Sequence, residues 1–111
     1  MDLLEYKVML ETTASTDLLG VLDYIEGVLK EPETALRFFS AMEEKVLSLN
    51  TLPHRHGIVQ DEPYKSIGVR WIPVENYLAF YVIDEESMTV RVLRILYSRR
   101  NWKNLLGDSA T

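Results

Sequence analysis

Four arginines crowd the last apolar stretch of the chain. Thr89 to Trp102 reads T-V-R-V-L-R-I-L-Y-S-R-R-N-W, an alternating β-branched run that ends in Tyr97, Ser98, Arg99, Arg100 and Trp102. A guanidinium is a rigid fork of donors that meets a carboxylate or phosphate two bonds at a time. Arg91, Arg94, Arg99 and Arg100 therefore mark an edge suited to a polyanion or an acidic partner. Tyr97 adds a phenol at the strand end, either to donate a hydrogen bond or stack on a base, or to close the core edge. Arg70 lies in Gly68-Val69-Arg70-Trp71-Ile72. Alternation puts it on the face of Ile72 and opposite Val69 and Trp71. There it is either an anion clamp or an ion-pair partner of Glu75. His54, Arg55 and His56 share a polar loop. An i, i+2 histidine pair suits proton transfer near neutral pH, but two imidazoles without a third ligand make a weak metal site.

These residues stand out against an acidic chain. The 111 residues carry a formal net charge of −5, yet from Met88 onward there are five basic residues and one acidic. Diffuse charge will not hold nucleic acid on such a protein; a local basic edge can still recognise it, or an acidic protein. The length indicates one domain, long enough to bury roughly 65% of its unfolded surface. A hydrophobic fraction of 47% argues against disorder. No cysteine is present, which excludes disulfides and thiolate zinc sites and fits a reducing cytoplasm. The first residues lack a basic n-region, and no apolar run reaches the length of a membrane span, so neither a secretory signal nor a membrane location is expected. There is no Gly-rich phosphate loop, G-x-S-x-G or H-E-x-x-H.

The elements that must position these residues follow from periodicity. Tyr6 to Glu11 alternates as a first strand. Thr12, Thr13, Ser15 and Thr16 offer N-caps, and Asp17 would favour a helix dipole in the first turn. Leu18, Leu22, Ile25 and Leu29, flanked by Val21 and Val28, mark one face of a first helix. Pro32 suits the first position of a second helix, whose apolar face reads Leu36, Phe39, Met42, Val46 and Leu49, with Asn50 and Pro53 closing it. The short link makes the two helices antiparallel neighbours. Leu52 to Lys65 reads as a loop. Three strands follow: Ile67 to Val74, with Pro73 marking an edge; Tyr77 to Ile83, central and buried on both faces; and Thr89 to Tyr97. Asn101 to Leu106 is an ordered tail, and Gly107 to Thr111 is expected to fray. The result is an α+β domain, β-α-α-β-β-β, with an antiparallel-rich sheet and a helical hairpin on one face.

Taken together, these pieces resemble the RelE/ParE superfamily, toxins of bacterial type II toxin–antitoxin modules often labelled plasmid stabilisation proteins. The resemblance spans about Tyr6 to Leu106. Its most specific parts are G-V-R-W-I-P-V-E-N-Y-L-A-F-Y and I-L-Y-S-R-R-N-W. It implies a cytoplasmic toxin wrapped by a flexible cognate antitoxin. A RelE-like activity would cleave mRNA on the ribosome without a metal or other cofactor. The 2′-hydroxyl attacks the adjacent phosphate, a base takes its proton, a cation stabilises the phosphorane and an acid protonates the leaving oxygen. By the same resemblance Arg70, Tyr97 and Arg100 are the catalytic candidates and Arg99 completes the basic pair; with Arg99, the residues themselves offer Arg91, Arg94, His54, Arg55 and His56 as RNA- or partner-binding candidates. Tyr97 stands where many members carry His or Arg, and an ordinary tyrosine titrates near about 10. The alternatives are a ParE-like inhibitor that binds DNA gyrase and needs no nuclease constellation, and an inactive module that only binds its antitoxin.

Overall fold

The computed structural model describes residues 5–110 and the side chains of residues 5–106. One sheet has the strand order β1-β4-β3-β2, with β1 at Lys7–Leu10, β2 at Arg70–Val74, β3 at Tyr77–Asp84 and β4 at Thr89–Tyr97. β2 with β3 and β3 with β4 pair antiparallel, whereas β1 runs parallel to β4. Helices α1 (Thr12–Asp23) and α2 (Pro32–Leu47) leave β1, α3 (Tyr64–Ile67) precedes β2, and α4 (Trp102–Ala110) follows β4. No helix among the described residues is long and apolar enough to cross a membrane.

β3 is central and buried on both faces, as its unbroken apolar run predicts: Ala79, Phe80 and Tyr81 are all inaccessible. On one face, Ile72, Val74, Tyr81, Val90, Val92 and Ile95 meet Ala14, Ile25, Ala35, Phe38, Met42 and Val46 of the helical hairpin. On the other, Phe80, Leu93 and Leu96 meet Tyr64, Val69 and Leu106. The sequence pattern gives the first face its hairpin and leaves Asn101 to Leu106 as a tail helical or ordered against the sheet. The second cover is α4, whose Trp102 ring lies 5.2 Å from that of Phe80.

Four local expectations need correction. The core face of α2 is Ala35, Phe38, Met42 and Val46, so Leu36 and Phe39 are turned outward. The small Ala35 faces the core where larger neighbours compete for the same reading. Second, α1 starts after Glu11 without a side-chain cap, and Asp17 serves Arg94 rather than the first turn. A π-turn at Tyr24–Val28 then carries Val28 and Leu29 into solvent. Third, β2 begins at Arg70, because Ile67 belongs to α3. Gly68, at φ +85°, ends α3 in a left-handed conformation open to glycine and sends the chain into β2. Gly107 to Ala110 continue α4 instead of fraying, and Thr111 lies outside the described residues.

Candidate partner-binding site

The structure sorts the arginines by what they hold. Arg94 Nε and Nη2 grip the two Asp17 oxygens at 2.7 and 2.9 Å, and Nη1 donates to the Leu105 carbonyl at 2.9 Å. Its side chain is 12% exposed and that of Asp17 13%, so one nearly buried fork ties α1, β4 and α4 together. Arg91 pairs with Glu11. Arg37 takes Glu75 at 3.0 Å. Arg70 instead shares Nη1 between the carbonyls of His54 and His56, at 2.9 and 2.6 Å. Arg55 donates to carbonyls of Thr51, Leu52 and Ser48. Arg99 and Arg100 are exposed at the end of β4, and among the described residues neither guanidinium has an ion pair or hydrogen bond.

Arg70 therefore does not meet Tyr97 and Arg100. It stands opposite Tyr81 on β3, while Tyr97 stands opposite Tyr77 on the other flank of the same strand. Four residues along β3 and two strand spacings put their Cα atoms roughly 16 Å apart. Arg70 belongs with the 53–57 loop. There the Tyr81 hydroxyl donates to the Pro53 carbonyl at 2.6 Å. The His54 ring pairs with Glu85, which also accepts from the Tyr6 hydroxyl at 2.8 Å. These two hydrogen bonds hold the Glu85 carboxyl below the usual range. His56 is different: its Nε2 is buried without a partner. Burial, reinforced by Arg55, Lys45 and Arg70, pushes the imidazole down, so it stays neutral at pH 7 and is a poor proton donor. Among the described residues, no three His, Asp or Glu side chains converge on a metal-sized space.

Tyr97 and Arg100 open instead onto a groove of about 650 Å³ between α1 and β4, lined also by Thr16, Gly20, Tyr24 and Tyr77. Thr16, Gly20 and Tyr24 recur every four residues and so share one helix face. Nothing lies within 4 Å of where a Gly20 Cβ would stand, which leaves the floor open. Tyr97 and Tyr77 meet edge to face at 5.5 Å, and Tyr77 meets Phe38 at 5.1 Å. Burial, then Tyr97 and Tyr24 nearby, raises the Tyr77 phenol above its ordinary value. The four-residue spacing was visible in the sequence; that it faces β4 was not.

A second surface lies on the hairpin. Val8, Met9, Leu10, Leu18, Phe39 and Leu47 line an apolar cleft of about 170 Å³ between β1 and α2. Phe39 also walls a neighbouring cleft of about 220 Å³ with Leu22, Pro32, Ala35 and Leu36. Leu36 is 69% exposed, Leu47 55% and Phe39 39%. Such a continuous exposed apolar stripe marks an interaction face. Its signal in the sequence was α2 itself, which holds more large apolar residues than one buried face needs.

Comparison with known proteins bears on the fold and the family. The chromosomal ParDE toxin–antitoxin system from P. aeruginosa shares the fold, with a TM-score of 0.68 and 24% identity over 84% of this chain and 96% of that one. The toxin–antitoxin complex RelBE2 from Mycobacterium tuberculosis gives a TM-score of 0.61 and 27% identity over 84% and 98%. No curated protein matches the sequence. The family model of the ParE toxin of the type II toxin–antitoxin system parDE matches residues 8–102, from β1 through the basic end of β4. The chain therefore belongs to the ParE toxin family and is a toxin of a type II toxin–antitoxin system.

Proposed function

We propose that this toxin acts by gripping a protein target, as a ParE-like inhibitor of DNA gyrase, rather than by cutting mRNA. The observation that carries this reading is the separation of the candidate catalytic residues. Arg70 is bound to loop carbonyls, whereas Tyr97 and Arg100 line a groove at the other end of β3. Phosphodiester cleavage asks for a cation, a base and an acid around one phosphate. The groove offers a guanidinium and phenols, a set suited to holding an acidic, apolar surface. The cognate antitoxin covers the apolar stripe around Phe39, where an amphipathic helix would bury the exposed leucines.

Purified toxin added to a gyrase supercoiling reaction tests this. Inhibition of supercoiling, with induction of a DNA damage response in cells and no new transcript ends, is the expected result. Ribosome-dependent cuts inside reading frames, with gyrase left active, would overturn it in favour of the RelE-like nuclease.

A further inference from the structure

We infer that the groove between α1 and the outer edge of β4 takes an extended, acid-bearing segment of a partner protein by strand addition. This rests on the protein-contact reading above and gives it a site. The first observation is an open strand edge. β1 pairs only with Thr89 to Val92, so the rest of β4 has no strand on that side. The Ser98 amide donates to the Asn76 carbonyl at 2.9 Å, which turns even-numbered positions here toward β3. Antiparallel alternation then turns Ile95 and Tyr97 outward. The Ile95 amide confirms the direction, because it donates outward to Asp17 Oδ2 at 3.0 Å. The Ile95 carbonyl and Tyr97 amide remain on the groove side as a template for an incoming backbone.

The second observation is room. The α1 wall opposite that edge has Gly20 at its middle, with no Cβ and empty space around its position. Backbone can approach there where any larger residue would stand in the way. Tyr24, 52% exposed, and Tyr97 flank the space as surfaces for an apolar or aromatic side chain. The third is charge. Asp17, the acid lining the groove, is neutralised by Arg94. Arg100 lines the groove with no ion pair or hydrogen bond to its guanidinium among the described residues, and Arg99 stands beside it. A carboxylate on the incoming segment is the complement. An RNA strand would meet the same two cations, but it has no use for a β-strand edge.

The test is an NMR titration of ¹⁵N-labelled full-length toxin with the acetylated peptide Thr-Val-Thr-Val-Tyr-Glu-Glu. The Gly20, Tyr97 and Arg100 amides should shift together. Arg100→Glu should weaken binding about tenfold, the loss of one charge-assisted contact, and should favour the same peptide ending in two lysines. Gly20→Leu, whose side chain enters open space, should keep the fold and block the peptide. The proposal fails if those amides do not respond at millimolar peptide, if the lysine-ended peptide binds wild type equally well, or if a uridine oligonucleotide moves them instead. A parallel supercoiling assay separates the two ideas. Peptide binding with gyrase left active keeps the groove and removes gyrase as target. Gyrase inhibition undiminished by Gly20→Leu removes the groove.

Discussion

Arg94 and Tyr81 show how much a single side chain carries here. Arg94 is one of the arginines that sequence reading assigns to RNA or a partner, and the structure engages it with Asp17 and the Leu105 carbonyl. Removing one member of a nearly buried pair leaves the other charged and unpaired, which costs about 3–5 kcal/mol. Arg94→Ala is expected to lose stability on that scale in urea denaturation, whereas Arg99→Ala should be close to neutral. Tyr81 sets an alkaline limit. Burial, opposed by Arg70 and Arg55, pushes its phenol up to about 12. The folded state thus holds this proton more tightly than the unfolded chain, where tyrosine titrates near about 10. Its contribution is full below about pH 10 and is lost as pH rises through about 12. Tyr81→Phe should cost about 1 kcal/mol at neutral pH, through the lost bond to Pro53, and should flatten the alkaline decline. Urea midpoints measured across that pH range read both effects.

At the scale of elements, β4 was legible to the residue because a β-branched run alternating with Arg91 begins after the Asp84–Ser87 turn residues and ends at Tyr97. The hairpin of helices was legible as well, through Pro32 and its periodicity. The phase of α2 was not. Leu36 and Phe39 look like core by type, and only the position of β1 and α1 shows that Ala35 and Phe38 fill that place. This misreading uncovers the face proposed above for the antitoxin. Leu36→Asp combined with Phe39→Asp should leave urea stability within about 1 kcal/mol, since both side chains are exposed. The same pair should weaken the cognate antitoxin by at least about tenfold in calorimetry, as truncation of a central apolar anchor does.

Across the whole molecule, the two surfaces call for separate behaviour. The stripe lies between β1 and α2, and the groove between α1 and the end of β4. A toxin altered at Leu36 and Phe39 is expected to arrest growth and resist neutralisation by its antitoxin. A Gly20→Leu toxin should lose growth arrest and still be captured by that antitoxin. Growth curves with and without antitoxin co-expression check both. The sequence showed the charge asymmetry that points to the basic end, but not which cations stay available. That depends on contacts between residues far apart in the chain, such as Asp17 with Arg94 and Glu11 with Arg91.

The irregularity in the β3–β4 ladder decides which way the end of β4 looks. Phe80 pairs with Arg94 and Tyr81 with Val92, so Leu93 is one residue more than the partner strand supplies. A strict count of two from Val90 would send Arg94 and Leu96 toward the hairpin and Tyr97 away from it. The extra residue resets the count, so Ile95 and Tyr97 share the face of Val90 and Val92. Leu93 works as a half-turn in the chain. Losing that single residue would join Arg94 directly to Val92 in an unbulged strand and leave Ile95 and Tyr97 opposite Ala79 and Tyr77 on the hairpin face. The loss of one codon at this point thus thins the core under α4 and spares the surface that Tyr97 lines, because the bulge residue is the one position β3 does not count.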